Sequence, residues 1–172
     1  MAGHVMSYLH SFADISPDGL YRYALGRTWG DGDTCVFIML NPSVADAESD
    51  DPTIRRCRGF AEALGCGSLL VANLYAYRAT RPRDLASAGF PVGPKGDAVL
   101  ASLARVAQRQ CLPLIAAWGR GAQPERVAHV LTMPGMDSLH ALRVNKDGSP
   151  GHPLYLPASA RPVPWQPARS AL

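Results

Sequence analysis

Two hydrophobic patterns alternate along this chain, and their order predicts an α/β fold. Apolar and polar residues alternate over Tyr8–Ala13 and Leu20–Thr28, on either side of the turn sequence Ser16-Pro17-Asp18-Gly19. That pattern predicts an N-terminal β-hairpin. The run Cys35-Val-Phe-Ile-Met-Leu40 is apolar without alternation, as in a strand covered on both faces. Ile54, Cys57, Phe60, Ala61 and Leu64 then recur at helical spacing, with Arg55, Arg56, Arg58 and Glu62 on the opposite face. Gly65 and Gly67 end that helix. The alternation continues with a strand over Ser68–Asn73, a helix over Asp97–Gln110 and a strand over Leu112–Trp118. A helix through Leu131 and a fourth strand over Ser138–Val144 complete it, and a proline-rich, extended tail follows from Gly148.

Strands alternating with helices imply crossover connections and helices on both faces of a sheet. The expected architecture is a three-layer α/β/α domain over residues 1–172, with a central, mainly parallel four-stranded sheet plus the N-terminal hairpin. In such sheets ligands bind outside the carboxyl ends of the strands. Chemistry is therefore sought at four strand ends.

The first is Asn41-Pro42-Ser43-Val44-Ala45-Asp46, with Glu48, Asp50 and Asp51 close behind. Proline stiffens the loop, and the Asn41 amide can donate and accept at once, which suits reading the edge of a base. Asp51-Pro52-Thr53 reads as a helix N-cap with proline at the first helical position. Asp46 and Asp50 have no such role, so they are candidates for positioning water or stabilising a cation, or else are solvated loop acids. The second end is Asn73-Leu-Tyr75-Ala-Tyr77-Arg78-Ala-Thr80-Arg81-Pro82. Asn73 and Tyr75 there could pair with and stack on a base, while Arg78 and Arg81 could hold phosphates; the tyrosines equally suit a core rim. The third, Trp118-Gly119-Arg120-Gly121, allows a phosphate close to backbone N–H groups. The fourth is Gly151-His152-Pro153-Leu154-Tyr155, whose proline-fixed histidine could hydrogen-bond a leaving group. His4 and His10, in the N-terminal region, and His129 and His140, within predicted elements, look ordinary.

Composition narrows the classes. Hydrophobic residues make up 47 % and charged residues 18 %, too apolar for disorder. Neither a membrane-spanning run nor a secretory leader over Met1–His10 is visible, so a cytoplasmic location is expected. Cys35, Cys57, Cys66 and Cys111 match no zinc or iron–sulfur spacing and read as free thiols, so neither metal nor cofactor is expected. The formal charge is +3, and lysine supplies only Lys95 and Lys146. That arginine bias suits phosphate recognition and follows equally from a GC-rich coding sequence. No G-x-G-x-x-G or G-x-x-x-x-G-K-[ST] loop is present, against dinucleotide and nucleoside-triphosphate sites.

Taken in order, the segments carry two resemblances. From Tyr21 to Trp165 the chain resembles an uncharacterised bacterial and phage family of unknown function. The matching residues are Tyr-Arg-Tyr at 21–23, Leu-Asn-Pro-Ser at 40–43, Asp-Asp-Pro-Thr at 50–53, Asn73, Arg78-Ala-Thr80, Ala117-Trp-Gly119 and His-Pro-Leu-Tyr-Leu at 152–156. The layout is also similar to the uracil-DNA glycosylase superfamily. Met39 to Ser43 stands where its first motif follows the first core strand, and Asn73 through Arg81-Pro82 where a strand ending in asparagine binds the base edge. Trp118-Gly119 corresponds to the turn after the third strand, and His152 to Tyr155 to the last motif. Leu40 replaces the usual glycine, the iron–sulfur cysteines of some members are absent, and the last motif lacks its Ser-Pro.

The resemblance implies a hydrolase that cleaves the N-glycosidic bond of a flipped-out, modified base in DNA, in base repair or phage defence. Asn41, Asp46, Asp50 and His152 would be catalytic. Leu40, Pro42, Ser43, Asn73, Tyr75 and Tyr155 would bind the base, and Arg78, Arg81, Gly119 and Arg120 the DNA phosphates. DNA, single- or double-stranded, is the expected partner; no obligate protein partner is legible. The alternatives are a hydrolase or transferase acting on a free nucleotide or nucleoside, and a non-catalytic nucleic-acid-binding module.

Overall fold

A computed structural model describes residues 7–167. The readings that touch residues 1–6, on the leader and on His4, lie outside the described residues. Among the described residues the chain forms a mixed seven-stranded sheet and four α-helices. The strands are β1 (His10–Ile15), β2 (Arg22–Thr28), β3 (Thr34–Met39), β4 (Ser68–Asn73), β5 (Leu114–Ala116), β6 (Leu139–Ala141) and β7 (Val163–Pro164). The helices are α1 (Pro52–Ala63), α2 (Pro82–Ser87), α3 (Gly96–Arg109) and α4 (Pro124–Leu131).

The sheet runs β1-β2-β4-β3-β5-β6-β7. β4, β3, β5 and β6 are mutually parallel, and the antiparallel strands β1, β2 and β7 extend the sheet at its two sides. The expectation of a mainly parallel four-stranded sheet is therefore corrected. The hairpin is no appendage, because β2 pairs with β4 from Leu25↔Val71 to Thr28↔Ser68. The proline-rich tail likewise contributes β7, paired to β6. Both additions depend on pairing distant in sequence, which local periodicity does not encode.

Alternate residues of β3 sort to opposite faces. Cys35, Phe37 and Met39 join Ile54, Cys57 and Phe60 of α1 in one apolar cluster. Val36 and Ile38 join Leu100, Leu103 and Ala107 of α3 in the other. This double burial explains the unbroken apolar run. β3 also sits where the winding reverses: α1 leads to β4 on one side, and the chain returns past β3 to reach β5 on the other. α2 has no counterpart in the hydrophobic pattern, because at 6 residues it is too short for a period to emerge. No helix among the described residues is long and apolar enough to cross a membrane.

Candidate functional site

β4, β3 and β5 deliver their carboxyl ends side by side, with Met39 in register with Asn73 and Ile38 with Ala116. The parallel pairing continues into the loops. Leu74 N–H donates to Met39 O (2.9 Å), Tyr75 N–H to Leu40 O (3.0 Å) and Ala79 N–H to Pro42 O (2.9 Å). Asn41 clamps the same seam, its Nδ2 donating to Ala79 O (2.8 Å) and Pro42 O (3.1 Å). A cavity of about 760 Å³ opens beyond these ends. It gathers Leu40, Asn41 and Ser43 from the first strand end, Asn73 from the second, Gly119 and Arg120 from the third, and His152 and Tyr155 from the fourth.

Asn73 ends β4 at 4 % exposure, and neither its Oδ1 nor its Nδ2 has a hydrogen-bond partner among the described residues. An unsatisfied buried polar group costs about 1–3 kcal/mol. An amide that carries this cost twice at the wall of a cavity has a donor and an acceptor to offer a ligand.

His152 lines the same cavity from a short 3-10 turn, Pro153–Tyr155, which His152 itself caps. Leu154 N–H donates to His152 Nδ1 (3.2 Å). The ring proton therefore sits on Nε2, which is left as a donor. Burial pushes the imidazole pKa down, and the Asp51 carboxylate offsets part of that shift. Near neutral pH the ring is an uncharged donor. Its position depends on Gly119, which has φ +68° and where a Cβ would lie 3.2 Å from His152 Cβ. Arg56 of α1 ties the turn down from the other side, donating to Leu156 O and to Pro153 O (3.4 Å).

The acids divide differently from the sequence reading. Asp46 Oδ1 accepts from Glu48 N (2.9 Å), Ser49 N (2.9 Å) and Ser49 Oγ (3.0 Å), bonds that lower its pKa. Asp50 is bound by Arg27 and by the Tyr8 hydroxyl. Neither lines the cavity. Asp51 does, and it is also the expected N-cap, accepting from Ile54 N (2.9 Å). The carboxylate available at the cavity is therefore Asp51.

Four more of the expected site residues lie outside the lining. Pro42 is buried, with its carbonyl in the seam. Tyr75 is a core residue, packed on Phe90, and its hydroxyl accepts from Gln123 N (3.0 Å). Arg78 reaches back to Gly19 O (3.3 Å), and Arg81 pairs with Asp84 (2.9 Å) at the start of α2. Conversely, the lining includes Arg22, Arg143 and Asn145, which the strand-end reading passed over. The Tyr-Arg-Tyr segment at 21–23 was the available signal for Arg22; nothing local marked the other two.

Residues 22–154 match the model of a family described as a protein of unknown function (DUF1643), and the chain belongs to that family. No curated protein and no solved structure matches the chain.

Proposed function

We propose that this family member is a DNA glycosylase-like hydrolase that cleaves the N-glycosidic bond of a base flipped out of DNA, on a uracil-DNA glycosylase-like framework. The observation that carries the reading is the buried, unpartnered amide of Asn73 in the same cavity as a neutral His152. A donor and an acceptor side by side fit the edge of a base. Three exposed apolar side chains, Val44, Leu154 and Tyr155, stand at the cavity mouth and suit contact with the bases around an extruded nucleotide.

In the reaction the bond between C1′ and the base nitrogen breaks, and its electron pair leaves with the base. His152 Nε2–H donates to the base oxygen that gathers the charge, worth about 10²–10³ in rate. Water oriented by Asp51 adds to C1′, and the proton it gives up passes to the departing base anion, which leaves as the neutral base. Incubation with DNAs carrying normal and modified bases, followed by alkaline heating, tests the reading. Strand breakage at a particular base is expected; intact DNA on every substrate would defeat it.

One observation favours a free nucleotide or nucleoside as the substrate instead. Arg78 and Arg81 bond elsewhere, which leaves Arg143 and Arg120, the latter paired with Asp147 (3.1 Å), as the rim arginines. A steep fall of affinity with log salt identifies the duplex ligand, whereas a small-molecule enzyme shows little slope.

A further inference from the structure

Arg22 differs from the other buried arginines. Arg27 lies five residues along the same strand and is bound by the Asp50 carboxylate (2.8 Å) and by main-chain carbonyls. Arg126 pairs with Asp97 (2.7 Å) and donates to Leu74 O (2.8 Å). Arg22 is as buried as Arg27, at 2 % exposure, yet has no carboxylate within ion-pair distance among the described residues. Its Nη1 donates to Ala45 O (2.7 Å), and its Nε has no partner. The Asp51 and Asp46 carboxylates act on it only from a distance, while Arg78 and Arg27 oppose it with like charge. Burial lowers its pKa to about 10, so the charge persists at neutral pH.

A buried cation without its counter-charge is costly, and an apolar residue of similar volume would be cheaper. Arg22 also lines the cavity that holds the unpartnered amide of Asn73. The missing counter-charge and the missing amide partners thus belong to one space. That space, about 760 Å³, is of the size that takes a drug-sized ligand and leaves room beyond a bare base.

We infer that Arg22 is the anion-binding floor of the cavity, and that the ligand carries a carboxylate or phosphate group beside the edge read by Asn73. This rests on the base-binding reading above but not on bond cleavage. The anion comes from a substituent on the base or from a nucleotide phosphate, and two probe pairs distinguish these sources.

The test is calorimetric titration of the full chain with uracil against 5-carboxyuracil, and with deoxyuridine against deoxyuridine 5′-monophosphate. At least about tenfold tighter binding is expected for the anionic member of one pair, the scale of one charge-assisted hydrogen bond. The pair that shows it identifies the source. Arg22→Met abolishes the preference; with the uncompensated buried charge it also removes the donor to Ala45 O, so the two effects on Tm oppose each other. If that variant does not fold, the Arg22 Nε–H resonance of the unaltered protein serves instead. It is expected to shift with the preferred anionic probe and stay in place with its neutral counterpart. Equal affinities in both pairs, binding of none of the probes, or a preference retained in Arg22→Met would overturn the inference. Because no probe contains DNA or requires cleavage, failure to release a base from DNA is a separate result that counts against the glycosylase reading alone.

Discussion

Arg27 Nε donates to Asp50 Oδ1 across 2.8 Å, with both side chains buried. The same guanidinium also donates to the carbonyls of Asp46 and Ser49, so one side chain on β2 sets the shape of the loop after β3. Asp50→Ala leaves that charge buried and unpaired, a change that typically costs about 3–5 kcal/mol. Denaturant unfolding should show a loss of that size. A variant as stable as the parent that fails only in turnover would instead return Asp50 to the chemistry.

Asp51 combines two roles that one pair of substitutions separates. Asparagine caps helices about as well as aspartate, whereas alanine costs about 1 kcal/mol. Asp51→Asn should therefore unfold like the parent, and Asp51→Ala should be less stable. Both should lose base release, since both remove the carboxylate. Asp51 also raises the His152 pKa, so histidine ring NMR should show that pKa falling further in Asp51→Asn. Full turnover in Asp51→Asn would leave Asp51 as a cap and nothing more.

Gly119 supports His152 through an absence of side chain. At φ +68° an L-residue is strained by about 1–2 kcal/mol, and the added Cβ would press on His152 Cβ at 3.2 Å. Gly119→Ala should lower Tm modestly. It should slow turnover more steeply, on the order of tenfold to a hundredfold, because small displacements of a reacting group are costly. Turnover that tracks the folded fraction alone would rule out this positional role.

The elements that were legible are those whose burial shows in the local pattern. Ser68–Asn73 is read with the bounds that β4 has, and the unbroken apolar run at 35–40 is β3 shifted by one residue. β7 was not legible, because 2 residues acquire strand character only by pairing with β6. In the site, Asn73 and His152 stand out as polar residues where apolar strands stop. Arg22 does not, since one arginine in an alternating strand reads as a solvent-facing residue; its burial comes with contacts distant in sequence, its N–H donating to Ala76 O beyond β4 and its Nη1 to Ala45 O. The Asp51 cap is legible in Asp-Pro-Thr, but that the capped end of α1 faces the cavity is a property of topology.

Asn73 should prove dispensable for folding. Its amide atoms lack partners in the folded state, so Asn73→Leu removes two unsatisfied groups and keeps the branched shape, with the added bulk facing the cavity. Chemical denaturation should give equal or greater stability, while calorimetry should show ligand affinity falling by about tenfold or more. Marked destabilisation would mean that the amide has partners inside the protein and is not held for a ligand.

The pH dependence of His152 follows from its burial. Its pKa lies below the ordinary histidine value of about 6.5, chiefly through desolvation, with the Asp51 field in opposition. As pH falls through about 6.5 the unfolded chain takes up a proton that the folded imidazole declines, so the unfolded state is favoured. Stability attributable to this group is therefore flat above about pH 6.5 and declines below it, down to the folded pKa. In His152→Ala that part of the decline should vanish. Turnover should persist below pH 6.5 and fall only when the ring protonates, since a second ring proton displaces the Leu154 N–H from Nδ1. At neutral pH, His152→Ala should cost about 10²–10³ in rate while ligand affinity stays within a few-fold. An acid limb centred at or above pH 6.5, or an equal loss of rate and affinity, would show that a neutral His152 does not carry the step.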